Sequence, residues 1–220
     1  MIENNGYLNN SSLYDESIYS IKTAIKYNKN YSKCKVIGMT YSKPNGGNIE
    51  ILYDLAKAFA KDCLKVAILD FDLRMPKLGN IIKADKNFGL TDYFNDKTPV
   101  ENLLLKDKTQ ENLFILLAGQ RPTNPTQILD SKKIKELIEN LSKEFDYIFI
   151  NVPPVDLLAD GSIISTYCDG IIVAVKYNDT KKEDLDKAIK NLQEVDANII
   201  GLLMTHAQVD KNLYKSYLNK

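Results

Sequence analysis

The chain has 220 residues, 44% apolar and 26% charged, an ordinary globular composition with room for one sizeable domain or two small ones. Its 29 basic residues balance its 29 acidic ones, so the positive excess that nucleic-acid binders and polybasic membrane binders need is absent. Arg74 and Arg121 are the only arginines, which leaves few bidentate phosphate clamps. Cys34, Cys63 and Cys168 are too far apart for a CxxC motif and odd in number, and His206 is the single histidine. A disulfide framework, a His-based metal site and a Ser-His-Asp triad are therefore not expected. No apolar run approaches the roughly 20 residues of a membrane helix, and the start, MIENNGYLNNSS, lacks the pattern of a signal peptide. The expected location is the cytoplasm.

In chain order, residues 1–34 carry no strand signal. Leu13, Ile18, Ile21 and Ile25 predict an amphipathic helix over about residues 12–27 behind a ragged tip. From there on, short β-branched runs alternate with helical periods. The strand candidates are 35–40, 65–70, 113–119, 147–151, 170–175 and 198–204. Their near-continuous hydrophobicity predicts strands buried on both faces, hence a mainly parallel sheet. Leu52, Leu55, Ala56 and Phe59 make one helical face between them, Ile128 to Leu141 another, and Leu185, Ile189 and Leu192 a third. Strand and helix alternating in this way predict a three-layer α/β fold with right-handed crossovers. No linker divides the chain: the expected organisation is an N-terminal helical element over 1–34, one α/β domain over 35–210 and a short tail over 211–220.

Ligands of open parallel sheets sit at the carboxyl ends of the strands, beside a helix N-terminus. After the first strand candidate the chain reads TYSKPNGGNIEILYDLAKAF, a Gly-bearing loop that opens a helix. A working phosphate loop needs a Lys for the β and γ phosphates and a Ser or Thr for Mg²⁺, yet nowhere here is Gly followed by Lys.

The segments LDFDLRMP (69–76), NPTQILDS (124–131), FDYIFINVPPV (145–155) and CDGIIVAV (168–175), in this order, resemble the bacterial tyrosine-kinase family of capsule and exopolysaccharide synthesis. That family is a branch of the P-loop NTPases related to the cell-division and partition ATPases. The resemblance implies a P-loop NTPase-like fold and protein-tyrosine kinase activity with ATP and Mg²⁺. It places the family's phosphate loop, P-G-E-G-K-S-T, on Pro44, Asn45, Gly46, Gly47, Asn48, Ile49 and Glu50. Asn48 then stands for the phosphate-binding lysine, Ile49 for the hydroxyl that ligates Mg²⁺, and Glu50 adds a carboxylate. Asn151 stands where the family has an Asp, and Thr205 where it has an adenine-reading Asn. The acidic pair Asp70 and Asp72 is retained as the candidate catalytic set, with Arg74, Pro76 and Asp160 also in place.

A charge lost or gained about 5 Å from phosphate is worth roughly 3 kcal/mol at an effective dielectric near 20. Losing the Lys and gaining Glu50 together oppose ATP by about 6 kcal/mol, enough to move a micromolar site to millimolar or weaker. The expectation is a pseudokinase with no cofactor and no metal site, acting as regulator or scaffold. Its alternative is a weakly active ATP-dependent autokinase or ATPase, with Lys43, five residues before Asn48, supplying charge to phosphate; a third reading is a partition-type positioning protein. The resemblance implies as partners the cytoplasmic tail of a membrane polysaccharide co-polymerase or an active kinase relative, and no nucleic acid. The family's ring-packing element, Glu-x-x-Arg-x-x-Arg, matches only Glu16, with Tyr19 and Lys22 at the arginines, so self-association is expected to be weak. Its tyrosine-rich tail is represented by Tyr214 and Tyr217 alone.

Overall fold

The computed structural model describes residues 10–42, 49–84 and 88–207. In chain order the elements are α1 (Asn10–Tyr27), β1 (Val36–Tyr41), α2 (Ile49–Ala60), β2 (Val66–Asp70), α3 (Leu78–Ile81), α4 (Leu90–Phe94), a 3-10 turn (Val100–Asn102), β3 (Leu105–Lys106), β4 (Leu113–Leu116), α5 (Pro125–Leu129), α6 (Lys132–Glu144), β5 (Tyr147–Asn151), α7 (Ala159–Ser165), β6 (Gly170–Lys176), α8 (Lys182–Gln193) and β7 (Ile199–Thr205). The strands form one sheet in the order β3-β4-β2-β5-β1-β6-β7, parallel except for the β3–β4 pair.

Two apolar cores flank the sheet and make the three layers expected from the strand and helix alternation. On one face α4 to α8 bury Leu90, Ile128, Ile134, Leu137, Leu141 and Leu192. On the other, α1 and α2 bury Ile18, Ile25, Leu52, Leu55 and Phe59. Gly38 lets β1 lie tight against its surroundings: a Cβ there would come within 2.6 Å of the Ile171 side chain and 2.9 Å of Cys168 Sγ.

The first helix starts slightly earlier than predicted, and three further differences have physical causes. The apolar stripe from Ile128 to Leu141 belongs to two helices, because α5 stops at Leu129 and Ser131 opens α6 as its N-cap, accepting the Ile134 N–H at 3.3 Å. A seventh strand, β3, is only two residues long and solvent-exposed, too short to show a period. The last strand is not buried on both faces: Leu202 and Met204 are 55% and 56% exposed, on the strand that ends the sheet among the described residues.

Candidate functional site

The carboxyl ends of β1, β2 and β5 lie side by side, and the parallel register places Asp70 opposite Asn151 and Met39 opposite Asn151. Both Asp70 and Asn151 are the last residues of their strands, so their side chains meet where such folds hold ligands. The Asn151 amide donates to Asp70 Oδ1 at 2.7 Å. The same oxygen accepts the Asp72 N–H at 3.3 Å, and Oδ2 accepts the N–H groups of Lys77 at 3.1 Å and Leu78 at 3.0 Å. Two of these donors belong to the first turn of α3, whose amides would otherwise lack partners. An ionised carboxylate offers about four lone-pair positions, and here four donors fill them.

Asp70 is 1% exposed. Burial pushes its carboxyl up to about 6; the bonds from Asn151 and Leu78 pull the other way, and the nearby Asp72 charge adds to the rise. Asp72, also buried, accepts the Met75 N–H at 2.9 Å and the Tyr41 hydroxyl at 3.3 Å. Burial first, then the carboxylates of Asp72 and Asp70, push the Tyr41 phenol up, so it stays a donor.

Beside this pair, the Arg74 guanidinium grips Asp160 through Nε at 2.6 Å and Nη2 at 3.3 Å. Thr126 completes the group, donating to Asp160 at 2.6 Å and accepting from Arg74 at 3.1 Å. The separate sequence blocks around Arg74, Thr126 and Asp160 thus converge on one hydrogen-bonded cluster. A cavity of about 60 Å³ lies between Tyr41, Asp72, Arg74, Pro153 and Leu158. That holds about two waters and is far below the roughly 300 Å³ of a drug-sized ligand pocket.

Asp70, Asp72 and Asn151 are therefore brought together. Thr205 ends β7, with β1 and β6 between it and β5, is buried and lies 3.2 Å from His206 Nδ1 through its hydroxyl. Ile49 opens α2 and is buried in the core, and Glu50 is exposed in the first helical turn. Lys43, Pro44, Asn45, Gly46, Gly47 and Asn48 lie outside the described residues, as do Tyr214 and Tyr217. Sequence reasoning missed Tyr41 and Thr126. Thr126 sits inside the NPTQILDS segment, so its motif was in view and its partner was not; Tyr41 falls one residue past the predicted strand 35–40 and gave no signal.

Comparison with known proteins agrees with this geometry. A family model described as an AAA domain matches residues 34–204. The tyrosine-protein kinase CpsD of Streptococcus pneumoniae serotype 4 is 31% identical over 183 residues, covering 83% of this chain and 80% of that protein. Among solved structures, the chimerical protein CapA2B2 superposes with a TM-score of 0.82 at 22% identity, covering 91% of this chain and 86% of that one. The septum site-determining protein MinD of Pyrococcus horikoshii, complexed with Mg-ADP, gives 0.66 at 22% identity, with coverages of 80% and 72%. The sheet, the acidic pair at its carboxyl edge and these matches together place the chain: it belongs to the AAA-domain proteins and, within them, to the bacterial tyrosine-kinase family, on a P-loop NTPase fold.

Proposed function

We propose that this chain is a pseudokinase, a tyrosine-kinase fold that does not bind Mg-ATP usefully and serves as a regulator or scaffold in capsular or exopolysaccharide synthesis. The observation that carries this reading is the Asn151 amide seated on Asp70 at 2.7 Å. Magnesium in phosphoryl transfer needs oxygen ligands in near-octahedral array and is bridged by the nucleotide's phosphates. At this site both Asp70 oxygens are taken by N–H donors, the partner across the register is a neutral amide, and Ile49 buries a hydrocarbon where a hydroxyl ligand belongs. That donor set does not fit a hydrated Mg²⁺. The loss of the lysine at Asn48 and the gain of Glu50 act in the same direction.

The parts a scaffold needs are retained: the sheet, both cores and the Arg74, Thr126 and Asp160 cluster. Among the described residues no helix is long and apolar enough to cross a membrane. In this reading the partner that brings the chain to a membrane is the cytoplasmic tail of a polysaccharide co-polymerase or an active kinase relative. The test is incubation of the unmodified protein with labelled ATP and Mg²⁺, alone and with such a tail. The expected result is no phosphate on tyrosine in either case, with the tail still bound. Robust autophosphorylation overturns the reading.

A further inference from the structure

We propose that β7 is the seam of a homodimer in which two copies join their sheets edge to edge. Among the described residues the strand closes the sheet on one side, so one row of its main-chain groups faces away from β6. Which residues those are follows from the ladder. The Thr205 carbonyl accepts the Tyr177 N–H at 3.0 Å, so Thr205 faces β6, and alternation turns Leu203 the same way. Leu202 and Met204 accordingly point their N–H and C=O groups outward. These same two residues carry the exposed apolar side chains of the strand. Nearby, a Cβ added at Gly201 would meet nothing within 4 Å, so the sheet face at that position is uncovered.

Natural sheet edges usually guard against such pairing with lysines, prolines or inward charges. Here residues 197–209 contain no Asp, Glu, Lys, Arg or Pro. An approaching second copy therefore meets no like charge along the strand, and the uncharged edge is complementary to itself. A two-fold axis through Leu203 places Leu202 opposite the partner copy's Met204, and Met204 opposite its Leu202. Both are then narrow antiparallel pairs that exchange N–H···O bonds in both directions, about four main-chain bonds in all. Residues directly opposed in such pairs share a face, so the two leucines and two methionines merge into one apolar patch. No other register centred on a single residue pairs both outward residues with each other. The proposal holds whether or not the chain binds nucleotide.

The test is analytical ultracentrifugation of the full chain across a range of concentrations, together with hydrogen exchange at Leu202 and Met204. The expected result is a concentration-dependent dimer whose outward amides slow as the dimer fills. Met204→Lys and Leu202→Lys, both at exposed positions, should each weaken dimerisation by about tenfold or more, because a lysine on this edge opposes pairing. Leu157→Lys, at an exposed apolar position outside β7, should leave it unchanged. A monomer at all concentrations with fast exchange at these amides overturns the proposal. So does slow exchange that is independent of concentration, which would mean that the chain's own residues cover the edge. A dimer that survives both lysine variants overturns it as well.

Discussion

Asn151 differs from the aspartate of the family pattern by one group, an NH₂ in place of an oxygen, and that group donates to Asp70 at 2.7 Å. Burial raises the Asp70 carboxyl to about 6, so the folded state holds this proton more tightly than the unfolded chain does. The sign follows: its contribution favours folding at low pH and is lost as pH rises from about 4 through about 6. Asn151→Asp replaces the donor with a second buried carboxylate and forces the pair to share a proton. We expect this variant to lose about 2–4 kcal/mol at pH 8, from the lost charged hydrogen bond and the new repulsion, and clearly less at pH 5. Urea unfolding at the two pH values measures it, and an equal loss at both would contradict the account. Glu50 acts on a smaller scale. It is exposed in the first turn of α2, where an acid favours the helix dipole, so Glu50→Thr should cost about 0.3–1 kcal/mol at low salt. A variant more stable than the parent without any anion present would contradict it.

Among the elements, α1 shows how a sequence match can point to one role while packing assigns another. Glu16, Tyr19 and Lys22 fall on the family's subunit-packing element, yet Lys22 is turned inward. Its ammonium donates to the Ala58 carbonyl at 2.7 Å and to Asp62 at 2.7 Å, and it lies over the Phe59 ring. Ala58 is in the last turn of α2, where carbonyls lack helical partners and a cation is favoured. Lys22→Ala should therefore destabilise the chain by about 1.5–3 kcal/mol in urea unfolding, as expected for a charged hydrogen bond lost from a buried site. Glu16→Ala and Tyr19→Ala, at exposed positions, should change stability by less than about 0.5 kcal/mol. A Lys22 variant as stable as these two would return the residue to the surface. The strands and helices carried strong periodic signals and were legible in the sequence, with β5 matching its predicted ends. The Ser131 break was not, because an N-cap serine between two apolar stretches leaves their common period undisturbed. The open face of β7 was hidden for a related reason: an apolar run looks the same in the middle of a sheet and at its edge, and only strand order separates the two.

For the whole molecule, the topology sets Asp70, Asp72 and Asn151 at the carboxyl ends of two adjacent strands, β2 and β5, the edge of the sheet the sequence blocks implied. What the sequence could not show was the direct bond between Asn151 and Asp70, because it depends on a register between strands 81 residues apart. The fold is thus that of the nucleotide-binding relatives, while the acid at its centre is satisfied from within the chain. The most direct test is calorimetry of the unmodified protein titrated with Mg-ATP and with Mg-ADP. We predict no binding tighter than about millimolar, following from a loss of roughly 6 kcal/mol relative to a micromolar site. A dissociation constant in the low micromolar range that depends on Mg²⁺ would contradict the account.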